Sequence, residues 1–190
     1  MTKLSVVLGQ ALTFLCLSSI PLHAGSIVKN GDFETGDFTG WTTSNWSIIS
    51  LGHTGNFSAT NTGCTSFFEQ CAIYQDLTTL IYRTYTFSFW YMNPAGFPVG
   101  SSYLQAFSTG ESAAFVDLGN QPQDGIWYQE TVMVRTDSPT TRIEFWARNA
   151  YPAFIDDVSF TLDPVPEPST LALTGVGALL VARYRKRRRV

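Results

Sequence analysis

Alternating apolar and polar residues mark the middle of the chain as a series of β-strands. Residues 85–91 alternate over their whole length, which predicts a strand with one apolar face. That face consists of Tyr85, Phe87, Phe89 and Tyr91. Helical periodicity is absent from this part of the chain, so we expect the middle of the protein to be built from strands.

The same alternation predicts further strands along the chain. Their apolar faces are formed by Ile143, Phe145 and Ala147, by Val158, Phe160 and Leu162, and by Val132 and Val134. Shorter runs lie at residues 46–49, 57–60, 72–77, 103–108 and 113–118. Turn-forming clusters separate the runs. Many short strands in one stretch predict an all-β domain over residues 25–163, folded as a two-sheet antiparallel β-sandwich.

The first 24 residues have the pattern of a secretory signal peptide. Lys3 supplies a positive start, residues 4–20 are mostly apolar, and Ala24-Gly25 offers a small residue at a plausible cut. An uncleaved membrane anchor is the alternative interpretation. Gln10 interrupts the apolar run and Pro21 begins a turn-forming end, so we expect cleavage.

The last segment, residues 164–190, combines a Pro-Glu-Pro sequence, a short apolar run and a basic end. The apolar run of residues 171–182 is shorter than the ~20 residues that cross a bilayer core. The basic residues from Arg183 onward favour a cytoplasmic end, with the body of the protein on the other side of the membrane. A nucleic-acid or nuclear-import patch is the alternative for these charges.

The distribution of charge excludes one class of partner. Of the 15 acidic and 12 basic residues, 14 acidic and only 5 basic residues lie in residues 25–163. A body with this negative excess repels polyphosphate, so we expect no binding to nucleic acid.

Removal of the signal peptide leaves two cysteines, Cys64 and Cys71, in an oxidising compartment. An even pair there favours a disulfide. The alternative is a pair of soft-metal ligands. Only His53 remains in the body to help such a site, so a tetrahedral Cys/His centre is incomplete.

The order of features at the C-terminus resembles the PEP-CTERM sorting signal of Gram-negative bacteria. The motif residues are Val165, Pro166, Glu167 and Pro168, followed by a short hydrophobic transmembrane helix and the arginine-rich end. The resemblance implies processing by exosortase, a membrane protease, after transient anchoring in the inner membrane. It also implies a destination at the cell surface or in the extracellular matrix, in association with exopolysaccharide.

The body resembles the galactose-binding-like jelly rolls, a group that includes many carbohydrate-binding modules. Residues 30–41, 74–79, 85–91 and 155–160 carry this resemblance in the same order. Similar domains share a structural calcium ion between the opening loop and the closing Asp-Asp-Val strand. By position, Glu34 and Asp157 would supply carboxylates, and carbonyls would come from Asn30 and from near His53. The alternative is that these acids cap turns and face solvent.

Two tryptophans are predicted on the polar faces of their strands, where rings are available to stack on sugars. Alternation places Trp146 with Arg142, Glu144 and Arg148. Trp90 falls on the polar side of the strand at residues 85–91. The alternative is that a loop or the second sheet covers each ring, since tryptophan is mostly buried.

Signals for catalysis are few, and we expect no enzyme. A serine or cysteine triad would have to use His53, and no nucleophile-elbow pattern occurs. The leading prediction is a secreted, non-catalytic adhesive or carbohydrate-binding module. The alternatives are a purely structural matrix component and a polysaccharide hydrolase that uses two of the acidic residues.

Overall fold

A computed structural model describes residues 25–61, 71–98, 103–110, 114–118, 120–148 and 151–164. These residues form ten strands and no helix. The strands are β1 (Thr42–Ser44), β2 (Ser47–Ile49), β3 (Ser58–Thr60), β4 (Cys71–Thr78), β5 (Thr84–Met92), β6 (Tyr103–Ser108), β7 (Ala114–Asp117), β8 (Trp127–Arg135), β9 (Thr140–Arg148) and β10 (Phe154–Leu162). The described residues up to Asp163 belong to one compact unit.

The described strands assemble into two antiparallel sheets. The front sheet has the order β1-β4-β9-β6-β7, and the back sheet has the order β2-β3-β10-β5-β8. Successive long strands, such as β4 and β5 or β9 and β10, lie in different sheets, so the chain crosses repeatedly from one sheet to the other. This is the topology of a jelly roll, and it confirms the predicted two-sheet antiparallel sandwich.

The predicted apolar faces meet between the two sheets. All four residues of the predicted apolar face of β5 are buried, and so are their counterparts on β9. Phe89 of the back sheet lies edge-on to Phe145 of the front sheet, with ring centroids 4.9 Å apart. The ring centroid of Phe87 lies 6.1 Å from that of Phe160 on the neighbouring strand β10. Aromatic contacts of this kind join the sheets into one core.

The closing strand β10 contains a bulge that the sequence pattern did not predict. Its register against β5 shifts between Asp156 and Ser159, and Asp157 has a left-handed backbone with φ of 47°. The opening loop packs against this bulge, because Val158 N–H donates to the Gly31 carbonyl at 2.8 Å. A side chain at Gly31 would collide with the Val158 carbonyl, so only glycine fits this close approach.

Several predicted features lie outside the described residues. These are the signal peptide of residues 1–24, Cys64, and the sorting segment with Val165, Pro166, Glu167, Pro168 and the apolar run. Cys71 is buried at the start of β4, and its disulfide with Cys64 stays a prediction. No helix in the described part of the chain has the length and apolar character of a membrane span.

Candidate functional site

The outer face of the front sheet carries an unusual density of aromatic and charged side chains. Strand alternation turns every second residue of β4, β9, β6 and β7 away from the core. The pairing register sets these outward residues side by side, with Tyr74 opposite Glu144 and Gln105 opposite both Trp146 and Asp117. We call this surface the front face; its members are Tyr74, Asp76, Gln105, Phe107, Phe115, Asp117, Arg142, Glu144 and Trp146.

Three aromatic rings form a continuous row on the front face. Trp146 of β9 contacts Phe107 of β6 with ring centroids 4.6 Å apart. Phe107 in turn contacts Phe115 of the edge strand β7 at 5.1 Å. Trp146 and Phe107 are half-buried, whereas Phe115 is 57% exposed. The row therefore presents apolar ring surface to solvent over three adjacent strands.

Arg142, on the same strand and face as Trp146, is held in one orientation by residues of β4. Its Nε and Nη2 donate to the two carboxylate oxygens of Asp76 at 2.8 and 2.9 Å, a two-pronged ion pair. The guanidinium carbon lies 3.8 Å from the centre of the Tyr74 ring. The hydrogen bond and charge of Arg142 lower the pKa of Asp76. Both groups thus remain charged, and the remaining guanidinium N–H groups have a fixed direction.

The predicted ligand residues divide between the two sheets. Trp146, Arg142 and Glu144 share the front face, and Arg148 ends β9 in register with Tyr103. Trp90 instead belongs to the back sheet and is not brought together with them.

His53 stacks on the Trp90 ring with centroids 3.7 Å apart and planes 15° from parallel. Trp127 approaches the His53 ring edge-on at 5.7 Å. A loop therefore covers one face of Trp90.

Six members of the front face escaped prediction from the sequence: Tyr74, Asp76, Gln105, Phe107, Phe115 and Asp117. These residues lie within the short apolar runs at residues 72–77, 103–108 and 113–118. These runs carry too few alternating positions to show which residues point outward. The cross-strand register, which brings the rings together, is visible only in the folded sheet.

The predicted calcium ligands lie at the junction of the opening loop, the 51–57 loop and the bulge. The Glu34 carboxylate accepts hydrogen bonds from the N–H groups of Asn56 and Phe57, each at 2.7 Å. The bond from Phe57 is the main cause that lowers the pKa of Glu34. Asp157 contacts His53 Nδ1 at 2.6 Å and accepts a hydrogen bond from the Thr54 hydroxyl at 2.6 Å.

These contacts attach the 51–57 loop to the opening loop and to the bulge of β10. Asn30 is used elsewhere: its side-chain amide donates to the Asp37 carbonyl at 2.9 Å, and its own carbonyl accepts from the Trp41 indole at 3.0 Å. Within the described residues, no three His, Cys, Asp or Glu side chains are grouped to hold a metal. Calcium binding stays a prediction.

Asp156 is a buried carboxyl group beneath the 51–57 loop. Its side chain accepts hydrogen bonds from the N–H of His53 and the N–H of Asp157, each at 2.7 Å. Burial outweighs these bonds and raises the pKa of Asp156 from 3.8 to about 7. The folded protein therefore binds a proton here over a pH range in which the unfolded chain has released it.

We expect the free energy of unfolding to fall as the pH rises from 5 to 8, by roughly 2–3 kcal/mol, because each pH unit contributes about 1.4 kcal/mol while only the folded state is protonated. Carboxyl groups with a lowered pKa, such as Asp76, Asp37 and Asp124, titrate below this pH range. There they make the free energy of unfolding increase as the pH rises. Urea unfolding across pH 5–8 measures the slope. The Asp156→Asn variant should lose it, and an equal slope in the variant would contradict the assignment to Asp156.

Comparison with known proteins agrees with this fold. Residues 25–150 match the carbohydrate binding domain family, and residues 164–189 match the PEP-CTERM protein-sorting motif. The chain belongs to this family of carbohydrate binding domains, and it carries the sorting motif behind the domain. Both resemblances noted in the sequence are confirmed. None of the curated proteins compared with the chain matched it significantly.

Solved structures with the same fold include several carbohydrate-binding modules. One is TmCBM61 in complex with β-1,4-galactotriose, at 18% identity and a TM-score of 0.53, covering 73% of this chain and 99% of that one. Another is the CBM22-1 xylan-binding domain of Xyn10C from Paenibacillus barcinonensis, at 16% identity and a TM-score of 0.54, covering 75% and 98%. A third is the family 16 carbohydrate binding module-2, at 13% identity and a TM-score of 0.55, covering 70% and 98%.

Proposed function

We propose that the protein is an exported, non-catalytic module that binds a polysaccharide on its front face. The observation that carries the proposal is the row of Trp146, Phe107 and Phe115 beside the fixed guanidinium of Arg142. Membership of the carbohydrate binding domain family supports it.

The chemistry of the front face suits a sugar chain. A pyranose offers an apolar face of C–H groups to an aromatic ring and hydroxyl groups around its edge. Ligand sites combine aromatic surface with a few fixed polar groups in this way. On the front face, the rings of three strands would contact successive sugars, while Arg142, Glu144 and Asp117 would donate to or accept from hydroxyls.

The C-terminal segment supports export to the cell surface. In this proposal the signal peptide directs secretion, the apolar run holds the chain transiently in the inner membrane, and an exosortase-type protease cuts near Pro166-Glu167-Pro168. The match to the sorting motif supports the order of these steps. The natural ligand would then be the exopolysaccharide of the Gram-negative cell that makes the protein.

The ion pair of Asp76 with Arg142, which lowers the pKa of Asp76, favours binding without catalysis. A polysaccharide hydrolase needs one carboxylic acid with a raised pKa and a second carboxylate about 5–10 Å away. Asp76 is instead ion-paired with Arg142, which lowers its pKa and removes it as a proton donor. The front face thus holds and orients a sugar chain.

A panel of immobilised polysaccharides tests the binding function. It should include β-1,4-galactan, a polymer of the galactotriose bound to TmCBM61, and xylan, named for the CBM22-1 domain, together with exopolysaccharide from the producing cell. We expect retention of the protein on at least one polysaccharide, without release of new reducing ends. Retention on none would favour a structural matrix component, and new reducing ends would favour the hydrolase.

Mass spectrometry of the native protein in surface and medium fractions tests the export steps. We expect an N-terminus near Gly25 and a C-terminus close to the Pro-Glu-Pro motif. Full-length protein in the cytosol would contradict the export proposal while leaving sugar binding open.

A further inference from the structure

Three consecutive large apolar residues are exposed at one end of the sandwich. Leu80, Ile81 and Tyr82 connect β4 to β5, and their exposed fractions are 57%, 51% and 64%. We call these residues the apolar tip. Single exposed apolar residues are common, but three in a row at the end of a loop mark an interaction surface.

The surrounding hydrogen bonds hold the apolar tip in an outward conformation. Leu80 N–H donates to the Tyr85 hydroxyl at 2.9 Å, and Tyr82 N–H donates to the Thr136 carbonyl at 2.7 Å. The buried Thr136 hydroxyl donates to the Leu80 carbonyl. Tyr82 has a φ of 56°, a left-handed backbone that a bulky residue rarely adopts. The loop is thus fixed with its apolar side chains in solvent.

The apolar tip lies at the end of the sandwich from which the chain leaves towards its sorting segment. Asp163 follows β10, and its N–H donates to the carbonyl of Thr84, the first residue of β5. Only Arg83 separates the tip from Thr84. The opposite end of the sandwich is the full length of β8 away, nine residues or roughly 30 Å.

The length of the connecting chain limits how far this end can lie from a membrane. Eight peptide units join Asp163 to Leu171, the first residue of the apolar run. At about 3.6 Å for each residue, they reach roughly 30 Å at most. A protein anchored by that run therefore keeps the apolar tip within roughly 30 Å of the bilayer, at a high effective concentration.

We propose that the apolar tip contacts the lipid bilayer and sets the orientation of the sandwich while the chain is membrane-anchored. This inference rests on the proposed transient anchoring by the C-terminal segment. A convex tip of Leu, Ile and Tyr matches a lipid interface, where apolar side chains enter the acyl boundary and Tyr takes the headgroup level.

Because the body is acidic, apolar contact and not electrostatic attraction holds the tip at the membrane in this proposal. Residues 25–163 carry 14 acidic and 5 basic residues, so anionic lipid repels the body as a whole. Three half-exposed side chains bind a membrane weakly by themselves. Anchoring by the C-terminal segment removes most of the entropy cost of bringing these side chains to the membrane. The contact ends when the protease cuts that segment.

Fluorescence quenching by brominated lipid tests the contact. The protein used is the chain without its signal peptide, residues 25–190. The protein is reconstituted into vesicles of phosphatidylethanolamine and phosphatidylglycerol, with or without bromine on the acyl chains. The Tyr82→Trp variant adds one indole at the tip. Because the tip would enter about 5–10 Å into the boundary, we expect bromine to remove roughly half of the added emission.

The Ile126→Trp variant is the matched control, since Ile126 is 56% exposed and precedes β8 at the opposite end. Its added emission should not be quenched. Failure of the unsubstituted protein to float with vesicles would refute the membrane anchoring in the proposed function. Flotation without quenching at residue 82 would refute the tip contact alone. Quenching only in vesicles that contain exosortase would assign the tip to that protease and overturn the lipid contact.

Discussion

The Trp146→Ala variant is expected to bind the polysaccharide retained in the panel at least about 30-fold more weakly than the unsubstituted protein. Truncation of a central aromatic contact typically costs about 2 kcal/mol or more, and 1.4 kcal/mol is tenfold in affinity. Trp146 belongs to β9, the central strand of the front sheet between β4 and β6, and contacts Phe107, so its removal takes the largest ring from the row. Isothermal titration calorimetry measures the change.

The Met133→Ala variant is the control for this prediction. Met133 is 71% exposed and lies on β8 of the back sheet, away from the front face. Its affinity should equal that of the unsubstituted protein. Equal affinities of the Trp146→Ala and unsubstituted proteins, with the fold intact by circular dichroism, would place the sugar site elsewhere.

The Phe87→Ala variant is expected to lose about 3–5 kcal/mol of the free energy of unfolding, because it removes a buried ring and leaves a cavity. Phe87 is fully buried and contacts Phe89, Phe145 and Phe160 across both sheets. A domain of this size is stable by only about 5–15 kcal/mol. Urea unfolding at fixed pH should therefore show a large fall in the midpoint.

The same substitution at Phe115 provides a matched comparison. Phe115 is 57% exposed, and its ring contact is with Phe107 at the edge of the sheet. Its truncation should cost about 1 kcal/mol or less. A Phe115→Ala variant as unstable as the Phe87→Ala variant would contradict the division between core and front face.

The sequence predicted the core well because long strands repeat their pattern many times. Over the seven residues 85–91, alternation alone identifies the inward side, and the structure buries Phe87 and Phe89. The neighbouring strand β10 was harder. Its bulge interrupts the period of two at Asp157, and no local pattern signals such an insertion.

The candidate site was predicted only in part because it depends on contacts between distant residues. Alternation placed Trp146 and Arg142 on one side of β9, and this side is the front face. It could not show that Tyr74 would pair beside Glu144 from a strand far back in the chain. Nor could it show that His53 would stack on Trp90, since the loop conformation decides that contact.

Chemical-shift mapping by NMR tests the central claim most directly. The isotopically labelled domain is titrated with an oligosaccharide of the polysaccharide that it retains. We predict that shifts concentrate on the Trp146 indole and on backbone amides of the front-sheet strands β4, β9, β6 and β7. Shifts centred instead on Trp90, His53 and Trp127 of the back sheet and its loop would contradict binding on the front face.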